Sequence, residues 1–354
     1  MKIRLAILEK DQNYLKRIIS VFGSKYSDQF EMYSFTDEEV AYSTLDSAKI
    51  DVFVAGDTFE IDIKRIPKRC SFAYLVDSVD VETIHNQKTI CKFQKVDLIY
   101  KQLLNLYSEN SSYITGMHID GNDNTIVLAF LSPAGGTGCS TAAAACAMNF
   151  AKKGRKVLFL SLEIFGSSDA FFNGEGNSSF SDVIYAIKSK KSNLPLKLES
   201  TVKQDPSGVY YYSEARTALD MQELKSSEIK KLISDLKLFG TYDYIILDFD
   251  FNLSQDTLDV LQVCNRIVLM SDGSFLANKK LEKAIMTLSI IEQQSDYKLL
   301  LKTGVLFNRV SSQTSEKPNL PEITEFGGIK RYEGYKTGQM LKELSNLSVF
   351  DSLA

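Results

Sequence analysis

The feature that most constrains the fold is an alternation of short apolar runs with longer segments of helical periodicity in the C-terminal part of the chain. The runs are IVLAFL, KVLFLSL, GVYYYS, DYIILDF, RIVLMS and TGVLFN, and helix-like segments cover 140–153, 181–190, 226–238 and 276–291. Runs that are apolar throughout and alternate with helices predict a mostly parallel sheet covered on both faces. Such a sheet binds ligands beyond the carboxyl ends of its strands.

The N-terminal part of the chain has the same kind of pattern on a smaller scale. Strand-like runs cover 4–8, 51–55 and 72–76, and 12–22 has apolar residues at helical spacing. The text then turns polar and turn-rich over 106–124, which is the best candidate for a linker. A length of 354 residues suits two domains, so we predict one at 1–114 and one at 115–354.

Charge and cysteine content exclude several classes of protein. A net charge of −4 and a pI near 5.5 give no overall basic footprint, so we expect no nucleic-acid partner. The uncharged run over 125–151 contains Pro133 and several glycines, so we expect no membrane insertion there. The N-terminus does not resemble a secretory signal, and five cysteines without paired spacing indicate reduced thiols. These features predict a cytoplasmic protein.

A glycine-rich loop marks the candidate site. Gly135, Gly136 and Gly138 follow the strand-like run IVLAFL and precede a helix that opens at Ser140. Glycines allow a tight turn close to an anion, and the amides of the loop and first helical turn point at phosphate oxygens. The alternative is an ordinary strand-to-helix turn in which the glycines only permit close packing.

This stretch resembles the deviant P-loop of the MinD and ParA superfamily, whose pattern carries two lysines. On that pattern Ala134 stands at the signature lysine, which in the relatives reaches the partner subunit's nucleotide, and Cys139 stands at the ordinary P-loop lysine. The resemblance implies a cofactor set of ATP and Mg²⁺. Since amides and Mg²⁺ carry most ground-state binding, the loss of two cations should weaken hydrolysis more than affinity. We therefore predict a nucleotide binder with slow or undetectable turnover.

Cys139 itself allows two interpretations. A thiol at a helix N-terminus has its pKa lowered by the helix dipole and could be redox-active. A thiolate beside phosphate would repel it, however, so a neutral side chain that fits the loop is the favoured interpretation.

Further residues complete the predicted nucleotide site. We expect the backbone of Gly135, Gly136, Thr137, Gly138, Cys139, Ser140 and Thr141 to bind phosphate. The hydroxyl of Ser140 is a candidate Mg²⁺ ligand, although the residue could also be a simple helix cap. Asp248 follows four apolar residues at the carboxyl end of a strand, where it can hold a metal-bound water, and it matches the superfamily's Walker B strand. The role of Asp250 stays open.

The resemblance extends to two other positions. Ser161 and Glu163 stand where the relatives use aspartates to orient the attacking water, so Glu163 is the candidate catalytic residue, or else it only orients loop amides or a lysine. Asn308 ends the run TGVLFN, where the relatives use an asparagine to read the base, and an amide can both donate to and accept from adenine. This favours ATP over GTP.

The first 105 residues or so resemble a response-regulator receiver, which implies a flavodoxin-like fold. Glu9 and Asp11 follow the first strand, and Lys95 stands where the resemblance places the invariant lysine. Gly56 occupies the phosphoacceptor's place at the end of the third strand, and Asp57 comes one residue late, which turns its side chain to the opposite face. We therefore interpret the domain as a pseudo-receiver used for docking rather than a phosphoacceptor.

A receiver-like domain joined to a MinD-like ATPase domain resembles the TadZ and CpaE proteins of bacterial Flp/Tad pilus assembly. The resemblance covers essentially the whole chain and implies a dimeric, ATP-dependent localisation factor at a cell pole, with pilus assembly proteins as partners. One rival is an active ATPase that cycles on DNA or membrane for partition or division-site placement. Another is an inert scaffold that has lost nucleotide altogether.

Overall fold

The computed structural model describes residues 2–110, 124–189, 193–238, 242–311, 315–320 and 323–354. Its contacts divide the chain into two units, one of Met1–His118 with Tyr185–Thr201 and one of Ile119–Ile184 with Val202–Ala354. The boundary expected near residue 115 lies outside the described residues, so the division into 1–114 and 115–354 stays a prediction. None of the helices in the described ranges is long and apolar enough to cross a bilayer.

The elements up to residue 110 alternate between strands and helices. The strands are β1 (Ile3–Leu8), β2 (Phe30–Phe35), β3 (Val52–Gly56), β4 (Ser71–Val76), β5 (Thr83–Ile84) and β6 (Gln87–Cys91). The helices are α1 (Gln12–Lys25), α2 (Glu38–Ser47) and α3 (Val96–Asn110), with a 3₁₀ turn at Ile63–Arg65.

The remaining described residues form the following elements. The helices are α4 (Cys139–Lys152), α5 (Ser168–Phe171), α6 (Phe180–Ser189), α7 (Leu194–Thr201), α8 (Ala218–Gln222), α9 (Ser226–Leu238), α10 (Gln255–Gln262), α11 (Phe275–Gln294) and α12 (Thr337–Leu344). The strands are β7 (Ile126–Leu131), β8 (Val157–Ser161), β9 (Lys203–Gln204), β10 (Tyr210–Tyr211), β11 (Tyr244–Asp248), β12 (Arg266–Ser271), β13 (Thr303–Val310) and β14 (Thr324–Lys330). Two 3₁₀ turns lie at Leu300–Lys302 and Ser348–Leu353.

The first unit contains a sheet of order β2-β1-β3-β4-β6-β5. Its strands pair in parallel, apart from β5, which is antiparallel to β6. Strands β3 and β4 are buried along their whole length, as expected when helices cover both faces of a parallel sheet. The order of the parallel strands is that of flavodoxin-like folds. The predicted fold class of this part of the chain is confirmed.

Helix α7 belongs to the first unit although it comes late in the sequence. It packs along α3, and its Leu196 is buried in the core that α1 and α3 form on the sheet. The hydroxyl of Tyr100 donates to Glu199 Oε1 at 2.6 Å, and Lys197 Nζ donates to Asn105 Oδ1 at 2.6 Å. Apolar burial and two polar contacts therefore hold α7 in this unit.

The second unit contains a sheet of order β14-β13-β12-β7-β11-β8-β10-β9, parallel except for the pair β9 and β10. Strand β7 lies between β11 and β12, and the strands that follow it in sequence lie on both of its sides. An open α/β sheet forms its ligand crevice at such a reversal of strand order. The loop that follows β7 thus begins where this fold places its ligands.

Helix α4, which follows that loop, is packed unusually deeply. Residues 142–147 are fully buried, and all of them are alanine except Cys146. Small side chains bring the helix close to the sheet, so the start of α4 is fixed relative to the ends of β7 and β11.

Candidate functional site

The glycine loop between β7 and α4 has backbone geometry that only glycine adopts easily. Gly136 has a φ of 78° and Gly138, which is the N-cap of α4, has a φ of 81°. A Cβ on Gly138 would stand 2.6 Å from Nδ2 of Asn308, so this position also needs glycine for space. No side chain caps the start of α4, and the first amides of a helix have no partner within it. This helix end can therefore accept an anion.

Hydrogen bonds from side chains of the loop attach it to the protein interior. Thr137 is buried, and its hydroxyl donates to Ser132 Oγ at 2.9 Å. The Ser132 hydroxyl in turn lies 2.9 Å from the carbonyl of Met270 on β12. Ala134, at the place of the signature lysine, is 7% exposed. The side chains of Thr137 and Ala134 thus point into the protein, which leaves the backbone amides to meet a ligand.

An unpaired carboxylate lies beside the loop at the end of β11. Asp248 is 1% exposed, and its carboxylate oxygens make no hydrogen bond of good geometry with the described residues, although the side chains of Ser140 and Glu163 lie beside them. Strand register places Asp248 opposite Phe130 at the end of β7 and opposite Ser161 at the end of β8. Burial, and then the charge of Glu163, raise the pKa of Asp248 well above its usual range. A cation bound beside Asp248 would stabilise the charged form of its carboxylate.

Glu163 and Ser140 complete the group of oxygens. The Ser140 hydroxyl donates to Glu163 Oε1 at 3.3 Å. Burial, together with the charge of Asp250, raises the pKa of Glu163. Mg²⁺ takes hard oxygen ligands and usually binds through one or two carboxylates plus substrate phosphates. The hydroxyl and the orphaned Asp248 oxygens fit that ion, although no group of three or more His, Cys, Asp or Glu placed to hold a metal occurs in the described residues.

Asp250 fixes the segment that carries Glu163. Its Oδ2 accepts the backbone N–H of Ile164 at 2.9 Å. The backbone N–H of Leu162 donates to the carbonyl of Asp248 at 2.8 Å. These bonds tie residues 162–164 to the end of β11, which answers the question that the sequence left open about Asp250.

Cys139 lies partly buried at the start of α4. Burial, and then the carboxylates of Asp248, Glu163 and Asp250, raise the pKa of its thiol well above the usual range. Burial and the local carboxylates thus both favour the neutral thiol over the thiolate. This supports the interpretation of Cys139 as a small uncharged side chain in the loop.

Asn308 lies at the opposite side of the loop, near the end of β13. Its Nδ2 donates to the carbonyl of Thr137 at 2.7 Å, and its Oδ1 accepts the backbone N–H of Arg309 at 2.9 Å. The Arg309 guanidinium donates from Nη1 to the carbonyl of Gly136 at 2.7 Å. Both polar groups of Asn308 are engaged by the chain itself, so base reading by this residue stays a prediction.

Family comparisons cover both units. A family described as "TadZ-like, receiver domain" matches residues 1–108, and one described as "AAA domain" matches residues 125–301, which is half of the chain. The chain belongs to the family described as an AAA domain. The two matches follow one another along the chain, the TadZ-like receiver domain first and the AAA domain second.

Solved structures support the same fold for the AAA domain. A ParA family ATPase from Chlorobium tepidum TLS is 20% identical, with 66% of this chain and 99% of that chain covered and a TM-score of 0.53. A MinC:MinD cell division protein complex from Aquifex aeolicus is 15% identical, with 64% and 94% covered and a TM-score of 0.50. At these identities the likeness shows the fold alone. The curated proteins gave no match.

In the TadZ-like receiver domain, the ends of β1, β3 and β6 meet around a buried ion pair. Lys92 Nζ lies 3.2 Å from Glu9 Oε2 and 2.6 Å from Asp77 Oδ1. A Cβ on Gly56 would stand 2.8 Å from Glu9 Oε2. Glu9 therefore fills the space that a phosphoacceptor side chain on β3 would need. Asp57 is exposed beyond it.

Two expectations about this domain need adjustment. The lysine at the end of β6 that reaches the acidic centre is Lys92, whereas the resemblance pointed to Lys95. Asp11 is the N-cap of α1, where its carboxylate accepts the amides of Asn13 and Tyr14.

At the glycine loop after β7, the sequence did not predict the contact with Arg309. An arginine that directly follows a motif gives no periodic or spacing signal.

Proposed function

We propose that the chain is an ATP-binding localisation or assembly factor for a bacterial Flp/Tad-type pilus, and that it acts as a nucleotide-dependent dimeric scaffold with weak or absent ATP hydrolysis. The observation that carries the nucleotide part is the unpaired Asp248 carboxylate beside an uncapped helix N-terminus and the glycine loop. The pilus part rests on the TadZ-like receiver domain. A cell pole is the proposed location, with pilus assembly proteins as partners.

The residues of the loop have distinct roles in this proposal. The amides of residues 135–141 bind the phosphate groups of ATP, as helix N-termini bind anions generally. Ser140 and Asp248 hold Mg²⁺, and Asp250 keeps the segment of Glu163 in place. Bound Mg²⁺ would supply positive charge that neutralises the phosphate oxygens. Glu163 is the group placed to orient a water, with a carboxyl whose pKa is raised.

Hydrolysis is slow in this proposal because the loop provides no side-chain cation. Residues 131–141 contain neither lysine nor arginine, and the Cys139 thiol is neutral. Loss of one electrostatic contact to a transition state typically lowers a rate by about 10²- to 10³-fold. Binding of ATP before hydrolysis depends mainly on backbone amides and Mg²⁺, so the affinity for ATP is retained.

The decisive experiment identifies nucleotide extracted from the purified protein and then titrates nucleotide-free protein with ATP and Mg²⁺ in a calorimeter. Binding of ATP, with loss of binding in D248N, supports the proposal, whereas no heat with wild type supports an inert scaffold. Steady-state phosphate release at the rate of lysine-bearing relatives would contradict the weak-hydrolysis part.

The dimer and its location need separate measurements. Light scattering with and without ATP tests whether nucleotide drives dimer formation. Co-sedimentation with liposomes or DNA in the presence of ATP tests the rival reading, since binding to either would favour an ATPase that cycles on membrane or DNA. A fluorescent fusion in cells with and without the pilus genes tests polar location.

A further inference from the structure

The phosphate loop has a cation bound to it that comes from another strand. Arg309 Nη1 donates to the carbonyl of Gly136 at 2.7 Å. The guanidinium atoms Nη2 and Nε lie 3.7 and 3.8 Å from the place where a Cβ on Gly138 would stand. An arginine has five N–H donors, so most of those on Arg309 remain available beyond the bond to the loop.

The backbone at Arg309 is arranged in an uncommon way. Its φ is 56°, in the left-handed region that residues with a Cβ seldom adopt. The pairing of β13 with β14 also shifts register between Phe307 and Val310, which bracket this residue. Strained backbone of this kind persists where the surroundings hold it, and it is concentrated at ligand sites. From this position the side chain of Arg309 reaches the carbonyl of Gly136 in the loop.

The carboxylates near the loop favour a cation beside an anionic ligand. Glu163 lies beside the start of α4, where its Oε1 accepts the Ser140 hydroxyl at 3.3 Å. Burial, and then the charges of Asp248, Glu163 and Asp250, raise the pKa of the Cys139 thiol. Residues 131–141 contribute no lysine or arginine of their own. A guanidinium stays protonated throughout the accessible pH range and forms a fork that matches phosphate oxygens.

We propose that Arg309 is the cation of this nucleotide site and binds the phosphate chain in place of the two absent loop lysines. The inference rests on the proposed function, because it assumes that the loop binds a nucleotide. It adds that the positive charge reaches the phosphates from β13, outside the loop, while one N–H of the guanidinium stays bound to the Gly136 carbonyl.

The test compares R309Q, R309G and R309K with the control R155Q in the full chain. R309G suits a positive φ and so should fold even if R309Q does not. Arg155 is exposed just past the C-terminal end of α4, so R155Q removes the same charge far from the loop. Each protein is titrated calorimetrically with ATP, ADP, AMP and adenosine in the presence of Mg²⁺.

We expect R309Q and R309G to weaken ATP binding by about tenfold to a hundredfold, the range for a hydrogen bond to a charged group. The loss should shrink from ATP to AMP and vanish for adenosine, with partial recovery in R309K and none of these effects in R155Q. Equal losses for all four ligands would overturn the proposal, since Arg309 would then serve the base or the loop. Unchanged ATP binding in R309G would overturn it as well. If wild type itself does not bind ATP, the proposed function fails first.

Discussion

At the scale of single residues, the site is defined by a carboxylate that the fold leaves unsatisfied. Asp248 is 1% exposed, and its pKa is raised by burial and by Glu163. Such a group disfavours the folded state when it is charged, and it is stabilised when a cation binds beside it. The charge on Asp248 therefore favours the binding of a cation but lowers the stability of the ligand-free protein.

The first prediction concerns how the stability of the ligand-free protein depends on pH. Because the pKa of Asp248 is higher in the folded than in the unfolded chain, the stability allowed by its neutral form is present at low pH and is lost as pH rises through the raised pKa. D248N should therefore have a higher Tm than wild type without Mg²⁺, and the difference should grow as pH rises above about 4, the pKa of an unperturbed aspartate. Scanning calorimetry across this range measures it, and each 1 kcal/mol corresponds to about 2–4 °C.

A matched control separates this effect from a general change of charge. Asp296 is exposed beyond the end of α11, so D296N should leave the pH dependence as it is in wild type. Glu163 adds to the slope in the same direction, so D248N should retain part of it. An equal Tm for D248N and wild type at every pH would contradict the assignment.

The second prediction concerns the Cys139 thiol. Since its pKa is raised well above the usual range, alkylation near neutral pH should be slower than that of an unperturbed thiol and should accelerate as pH rises. D248N removes one of the carboxylates that raise the pKa and should speed the reaction. Mass spectrometry of the peptide after timed iodoacetamide treatment gives the rate. Alkylation of Cys139 at the rate of an unperturbed free thiol at neutral pH would mean that the helix dipole dominates.

Most residues of the candidate site follow from local sequence. The glycines, Ser140 and Asp248 each sit directly at the end of a strand or start of a helix, and parallel strands bring those ends together. The contact of Arg309 with the loop could not be predicted, because it depends on one left-handed residue and a register shift in β13. Neither leaves a pattern in the sequence.

At the scale of elements, strands in the middle of the sheets were predicted well and those at the edges were not. The interior strands β3, β7 and β11 are apolar except for Asp248 at the end of β11, and almost all of their residues are buried. By contrast β2 and β14 have several exposed positions, and their sequences FEMYSF and TEFGGIK mix polar with apolar residues. An edge strand makes fewer buried contacts, so its sequence is less constrained.

The third prediction concerns the end of β3. Glu9 is held in place, since its Oε1 accepts the amides of Lys10 and Asp11 and its Oε2 pairs with Lys92. A methyl group at Gly56 would stand 2.8 Å from that Oε2, so G56A should reduce the free energy of unfolding by about 1–3 kcal/mol. Urea denaturation, monitored by hydrogen exchange over residues 2–110, measures the change in the free energy of unfolding.

The control for this prediction is a glycine in a helix of the same unit. Gly23 lies in α1 with nothing within 4 Å of its potential Cβ. G23A should therefore stabilise the unit by about 0.5–1 kcal/mol, because alanine favours the helix. A G56A variant as stable as G23A would show that Glu9 moves freely and does not fill the phosphoacceptor's place.

At the scale of the whole molecule, the chain leaves the first unit, builds part of the second and returns. Residues 185–201 join the first unit, and α7 contributes Leu196 to its core. Sequence patterns identify a helix here only by its periodicity, and they carry no information about which of two cores a helix covers. The predicted boundary between residues 114 and 115 therefore assigns this segment to the second domain.

The fourth prediction tests this arrangement. Leu196 is 4% exposed, so L196A should lower the stability of the first unit by about 2–5 kcal/mol, the usual cost of a buried leucine. L219A is the control, since Leu219 on α8 is 69% exposed and should change stability little. Hydrogen exchange over residues 2–110 should accelerate in L196A alone. Unchanged protection there would mean that α7 adds nothing to this core.

The late return of α7 also affects the order of events during synthesis. Domains generally fold as they emerge from the ribosome, N-terminal first, at about 5–20 residues per second. Part of the core of the first unit stays uncovered until Thr201, at the end of α7, has left the exit tunnel. By then the phosphate loop and α4 are already outside the ribosome. A nascent chain stalled before α7 should thus expose the apolar side of α3 to chaperones, and a single cut cannot separate this chain into two complete halves.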